Sequence, residues 1–169
     1  MKIGVISDTH DNVSAIKKVV EKILNMKVDM VFHCGDIISP FVVKEFKPIG
    51  KILNITFGNN DGDVFTLANR FSSIGAKIYN TPSIIEIEDR VIFFMHGFNG
   101  VDLTKKIVYS MAKSNDYDVI LYGHTHFAEI KTINDTLIIN PGEVSGYLTG
   151  RRTYAIFNLK EKRAEILEF

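Results

Sequence analysis

Apolar and polar positions along the first half of the chain repeat one unit: a short apolar run, an abrupt polar exit, then a helical stripe. Ile3-Gly4-Val5-Ile6 runs into Ser7-Asp8-Thr9-His10, which reads as a buried strand whose carboxyl end carries an acid and an imidazole two residues apart. On a strand-like exit, Asp8 and His10 alternate about Thr9 and point to one side. Asp11 and Asn12 then offer a helix N-cap. Ile16, Val19, Val20, Ile23 and Leu24 follow on one helical face, with Lys17, Lys18 and Lys22 mostly elsewhere. Met30-Val31-Phe32 predicts a second strand, leaving through His33-Cys34-Gly35-Asp36. Ser39-Pro40 has the form of an N-cap followed by proline in the first turn, predicting a helix that carries Phe41, Val42, Val43 and Phe46. Ile52 to Phe57 predicts a third strand, ending in Gly58-Asn59-Asn60-Asp61-Gly62, after which Asp63 caps a helix with Val64, Leu67, Ala68 and Phe71. Three such units in succession predict βαβ construction.

The second half changes character. Ile84 to Glu88 and Val91 to Met95 flank Asp89-Arg90 as a hairpin, and the latter strand exits into His96-Gly97. A helix with Leu103, Ile107 and Met111 follows. Val119 to Tyr122 then leads into Gly123-His124-Thr125-His126, and the remainder reads as β, with runs near 127–133, 136–140, 153–159 and 164–169.

Composition narrows the class. At 169 residues the chain is most simply one domain, with 46% apolar residues to build its core. Twenty basic and twenty acidic residues cancel, which argues against a broad basic surface for nucleic acid. The single cysteine, Cys34, excludes an internal disulfide framework and fits a reducing cytoplasm. The N-terminal apolar run is broken by Asp8, unlike a signal peptide, and no segment approaches the roughly 20 apolar residues of a membrane span. A cytoplasmic protein is expected.

Candidate chemistry gathers at the strand exits. Five carry metal-ligating groups: Asp8/His10, Asp36, Asn59, His96 and His124/His126, which include four of the five histidines. In open α/β sheets ligands bind at the carboxyl ends of strands. For any one cluster an ordinary turn or cap is sufficient explanation. Five at equivalent positions predict convergence, and seven O and N donors exceed what one tetrahedral zinc needs. They suit two metals with a shared carboxylate.

These motifs, Asp8-Thr9-His10, Gly35-Asp36, Gly58-Asn59-Asn60-Asp61, His96-Gly97 and Gly123-His124-Thr125-His126, resemble in order those of the calcineurin-like metallophosphoesterases. The set looks most like the small bacterial and archaeal phosphodiesterase branch, which also includes the scaffold subunit of retromer. Asn140-Pro141-Gly142 and Gly146 to Gly150 add to the similarity.

The resemblance implies a single metallophosphoesterase domain over residues 1–169. Its fold would be α/β: a four-layer α/β/β/α sandwich of two mixed sheets flanked by helices. Carried over, Asp8, His10, Asp36 and His126 hold one divalent metal, and Asp36, Asn59, His96 and His124 the other, with Asp36 bridging. The family chemistry is phosphodiester hydrolysis by a hydroxide on the dinuclear centre. Manganese or nickel is favoured, with iron, zinc or cobalt also compatible with the donors. Asp36, Asn60 and Asp61 are the residues assigned to catalysis. A small phosphodiester is the expected partner, without a membrane or an extended nucleic-acid surface; a homo-oligomer is left open. The alternatives are a phosphomonoesterase and a non-enzymatic interaction scaffold like the retromer subunit.

The chain departs from the wider family pattern at two places. Asn60 stands where many members have a histidine thought to protonate the leaving oxygen, and Phe98 where relatives often have another histidine. Asp61 reads either as a residue orienting a ligand or as a plain turn acid, and Phe98 as a packing aromatic or a narrowing of the substrate entrance. His33 reads as a core histidine or a support for the ligands. Arg151 and Arg152 read by default as surface cations.

Overall fold

Alternation along the central strands sorts their side chains between cores, and those cores define the layers. The computed structural model describes residues 1–169. In chain order the elements are β1 (Lys2–Ile6), α1 (Val13–Met26), β2 (Met30–His33), a 3₁₀ segment (Pro40–Ile52), β3 (Leu53–Thr56), α2 (Val64–Ser73), β4 (Lys77–Tyr79), β5 (Ser83–Ile87), β6 (Arg90–Phe94), α3 (Val101–Lys113), β7 (Val119–Leu121), β8 (Glu129–Ile133), β9 (Thr136–Asn140), β10 (Thr153–Asn158) and β11 (Arg163–Glu168). One sheet has the order β11-β10-β1-β2-β3-β4 and the other β5-β6-β7-β9-β8.

On β1, Ile6 faces α1, α2 and the 3₁₀ segment, while Ile3 and Val5 face the second sheet. On β6 and β7, Ile92, Phe94, Val119 and Leu121 face the first sheet, while Phe93, Ile120 and, just past β7, Tyr122 pack under α3. Three apolar clusters thus fill three interlayer spaces: helices on sheet, sheet on sheet, sheet on helix. The result is the four-layer α/β/β/α sandwich of two mixed sheets. β1, β2, β3 and β4 run parallel, as do β6, β7 and β9. Parallel pairing sends the polar exits of each sheet to one end.

Several local expectations are corrected. The segment after Ser39 is a 3₁₀ rather than an α-helix, and it contains Pro48, which has no N–H to donate. Ser39 makes no side-chain cap; its amide and hydroxyl donate to the Asp11 carboxylate at 3.0 and 2.5 Å. Asn12 and Asp63 do cap α1 and α2, accepting from the amides of Ala15 and Thr66. Leu24 and Phe41 lie exposed rather than in the core. The hairpin turn is Glu88-Asp89, both at positive φ as a type I′ turn requires, so that Ile87 pairs with Arg90. On α3 the buried residues are Thr104, Val108 and Ala112, one position beyond the predicted stripe. The small side chains at 104 and 112 bring the helix close, leaving Ile107 and Met111 at its flanks.

The end opposite the polar exits is tied by Asp118. It accepts from Arg90 Nη1 at 2.7 Å and the Val91 amide at 3.0 Å, with Lys162 Nζ at 3.5 Å. Burial pushes its carboxyl up, but these donors outweigh that and leave it below the usual carboxylate range. A depressed folded pKa stabilises above the ordinary value and loses that contribution as pH falls through the folded one. Asp118→Asn is therefore expected to cost about 1 kcal/mol at pH 7, its partial exposure discounting a charge-assisted bond. The difference from wild type should shrink toward pH 3 in urea titrations at both pH values.

Candidate metal centre

The chain turns sharply at the carboxyl ends, and five of the seven predicted ligands sit at positive φ: Asp8 at 53°, His10 at 41°, Asp36 at 58°, His124 at 70° and His126 at 63°. Asp8 and His10 thus meet through a left-handed turn rather than through strand alternation, because β1 ends at Ile6. Non-glycine residues in this region typically cost about 1–3 kcal/mol each and persist where surrounding contacts over-determine them. Glycine is required where these turns touch: a Cβ on Gly58 would overlap the Asp36 carboxylate, and one on Gly97 the His124 side chain.

The geometry brings the predicted residues together. One ligating atom from each of Asp8, His10, Asp36 and His126 lies within 4.8 Å of the others. The Asp36 carboxylate faces both halves of the site, with Oδ2 3.5 Å from His10 Nε2 and Oδ1 3.4 Å from His96 Nε2. Asn59 Oδ1 and His124 Nδ1 each lie 3.1 Å from His96 Nε2.

Hydrogen bonds on the far side of three of these imidazoles fix their tautomers. His96 Nδ1 donates to the Cys34 carbonyl at 2.7 Å, which leaves a lone pair on Nε2. His124 Nε2 donates to the Asn99 carbonyl, leaving a lone pair on Nδ1. The two lone pairs, with Asn59 Oδ1 and Asp36 Oδ1, converge without a proton between them, an arrangement that a cation makes attractive. His126 Nδ1 donates to Glu143 at 2.8 Å and directs Nε2 toward Asp8 Oδ1, 3.4 Å away. Asp8 Oδ2 accepts from the His124 amide, whereas buried Asp8 Oδ1 and His10 Nε2 have no hydrogen-bond partner. Mixed carboxylate, amide and imidazole donors, with Asp8 Oδ1 and His10 Nε2 buried and unpartnered, fit a divalent cation. Burial pushes the Asp8 carboxyl up, but His10, His96 and His126 outweigh it and hold it low. For His10, burial lowers the imidazole pKa and the carboxylates of Asp8, Asp36 and Glu143 more than restore it.

The residues assigned to catalysis take supporting positions. Asn60 donates from its amide and from Nδ2 to the two Asp36 oxygens at 2.9 and 2.7 Å. Asp61 accepts from the amides of Asp36, Ile37, Ile38 and Gly58 at 3.1, 2.6, 2.7 and 2.6 Å, tying the second and third exits together. Burial raises its pKa against these bonds. Ile38, a β-branched residue at φ 88°, is held by this clamp. His33 is fully buried: Nδ1 accepts from the Gly35 amide at 3.1 Å, and Nε2 meets Thr9 Oγ1 at 3.2 Å. Burial lowers it to about 3, so it stands as a neutral pillar between the first two exits. Phe98 is 62% exposed and does not pack into the core. Arg151 pairs with Glu168.

The sequence reading missed Glu143. Completely buried, it accepts from His126 Nδ1, from the hydroxyls of Ser145 and Thr149, and from the amides of Tyr147, Leu148 and Thr149. Burial works against its ionisation, but the Thr149 amide, His126 and the hydroxyls bring it down to about 2. Its signal was an acid just past β9, at the sixth polar exit, Asn140-Pro141-Gly142-Glu143.

Two sheets delivering these donors to one rim match a family model, the calcineurin-like phosphoesterase superfamily domain, over residues 1–162. The chain belongs to this superfamily. Phosphodiesterase MJ0936 of Methanocaldococcus jannaschii is 40% identical, the alignment covering 99% of this chain and 100% of the relative. The solved structure of an archaeal phosphodiesterase superposes with a TM-score of 0.90 at 37% identity, over 100% of both chains. Vps29 from Entamoeba histolytica, solved with zinc, superposes at a TM-score of 0.73 over 99% of both chains; at 16% identity this shows the shared fold. No helix of this metallophosphoesterase is long and apolar enough to cross a membrane.

Proposed function

We propose that the protein is a phosphodiesterase that holds two divalent cations, manganese or nickel by preference, between Asp8, His10, Asp36 and His126 on one side and Asp36, Asn59, His96 and His124 on the other. The observation that carries this reading is the Asp36 carboxylate, one oxygen toward His10 and the other toward His96. The relative named as a phosphodiesterase aligns along its whole length, which supports diester over monoester chemistry. Bound cations supply Lewis acidity to phosphoryl oxygens and a nucleophile from water near neutral pH. The chain's own residues set the geometry: Glu143 and the Cys34 carbonyl orient His126 and His96, and Asn60 holds both Asp36 oxygens.

Hydrolysis adds water across one P–O ester bond and releases a monoester and an alcohol. Nothing at position 60 protonates the departing oxygen, because a neutral amide donates a hydrogen bond without giving up its proton. General acid catalysis typically contributes ~10²–10⁴-fold, so diesters with good leaving groups should be turned over much faster than dialkyl esters. Protein loaded with manganese or nickel is expected to hydrolyse an aryl phosphodiester, and His126→Ala to stop it; activity that survived would remove His126 from the site. Asn60→His should flatten the dependence of kcat on leaving-group pKa, and an unchanged slope would exclude this account of position 60. Paired aryl monoester and diester assays separate the monoesterase alternative.

A further inference from the structure

We propose that the cleft beside His126 is a subsite for one ester arm of the substrate, and that the arm it takes is uncharged and apolar or planar, such as an aryl group or a nucleobase. This rests on the phosphodiesterase reading of the adjoining centre. The cleft holds about 430 Å³, and its wall includes His126, Phe127, Leu148, Thr149 and Arg151. A volume of this order accommodates a ring and part of its substituents. Continuity with the metal centre identifies the occupant: His126 belongs both to the cleft wall and to the donor cluster with Asp8 and Asp36. His126 is the residue the two share, so the cleft adjoins the place where that cluster would hold a phosphate.

The lining selects the chemistry of the arm. Phe127 is 59% and Leu148 73% exposed, large apolar side chains left in water at the edge of a polar centre. Arg151 is the cation in the wall, and its Nε and Nη2 are both engaged by Glu168 Oε2 at 3.0 and 2.9 Å. That ion pair lies at the solvent edge, so the two apolar side chains are the surface that distinguishes the cleft. Covering two apolar side chains with a ring is favourable in proportion to the area removed from water.

The cleft is also built together with the ligand it adjoins. The Glu143 carboxylate that takes the His126 Nδ1 proton accepts from the amides of Leu148 and Thr149 as well. One buried group therefore positions the imidazole and the loop that carries the leucine. The subsite is preformed, so little ordering cost is left for the substrate to meet.

The test uses metal-loaded protein, wild type and Phe127→Ala/Leu148→Ser, two changes at exposed positions outside the donor set. Bis(p-nitrophenyl) phosphate and methyl p-nitrophenyl phosphate share a leaving group and differ in the remaining arm. Wild type is expected to show a KM about tenfold lower for the diaryl ester, and the double variant nearly equal KM values with kcat for the methyl ester unchanged. Calorimetric titration with phenylphosphonate and methylphosphonate repeats the comparison without turnover, the phenyl compound binding about tenfold more tightly to wild type only. Turnover of both esters with no aryl preference, or a preference that survives the double variant, overturns the subsite and leaves the phosphodiesterase reading standing. Absence of turnover together with a phenyl preference that the variant loses overturns that reading and leaves the subsite standing.

Discussion

Asp36→Asn is expected to abolish metal-dependent turnover while changing the stability of the metal-free protein little. Asp8 and Asp36 are 0% and 1% exposed, and their oxygens share a space no more than 4.8 Å across with two imidazoles. In metal-free protein replacing Asp36 with an amide removes a buried charge, which offsets the loss of one of the two Asn60 hydrogen bonds to that side chain. With metal the balance shifts. A ligand that binds only the folded state stabilises it by RT ln(1 + [L]/Kd), about 2.7 kcal/mol at a hundredfold excess over Kd. For a domain of this size that is a rise of roughly 5–10 °C in Tm. Asp36→Asn should lose most of the rise, because a single amide oxygen cannot face His10 and His96 together. The loss of activity should exceed the ~10–100-fold typical of residues that merely support metal ligands. Thermal scans of both proteins, with and without manganese, give four melting temperatures. An equal destabilisation of the variant in both conditions would make Asp36 a folding carboxylate and end its assignment as a bridge.

That the seven candidate donors stand out in the sequence follows from how parallel strands are buried. A strand covered on both faces is mostly a short apolar run, and polar residues gather where the chain leaves the sheet. Asp36, Asn59, His96 and His124 stand out for that reason. The turns that aim them were not legible, since alternation presupposes extended backbone and the positive φ of Asp8, His10, Asp36, His124 and His126 is imposed by contacts from other exits. Asp61 illustrates this: its four amide partners come from the second and third exits, which are distant in sequence. Elsewhere β4 went unseen because Lys77-Ile78-Tyr79 is short and, unlike the equally short β7, has no apolar run. The 3₁₀ segment passed for a helix because an N-cap and a proline announce a helical start without fixing its pitch.

Glu143 was the costliest omission, and its replacement should have the largest effect on stability. As an acid in a Pro-Gly loop it looks like a surface residue, yet it is fully buried and receives six donors, from His126 and from residues 145 to 149. Glu143→Ala leaves those donors facing a cavity; removing one member of a buried pair typically costs about 3–5 kcal/mol, here a fall of roughly 6–20 °C in Tm. Glu143→Gln keeps the shape and one acceptor oxygen, so its cost should be nearer 1–3 kcal/mol. The two variants separate two duties of the group. If Glu143 only holds the loop, metal affinity should track stability and be largely preserved in the glutamine variant. If it also sets the His126 tautomer, the glutamine variant should bind metal ~10–100-fold more weakly despite its milder stability loss. The second pattern is expected, because a carboxylate can only accept from Nδ1, whereas an amide can turn its NH₂ toward the ring and pull the lone pair away from Asp8. Metal titrations beside urea melts of both variants decide between them, and unaltered affinity in Glu143→Gln would reduce this carboxylate to a loop anchor.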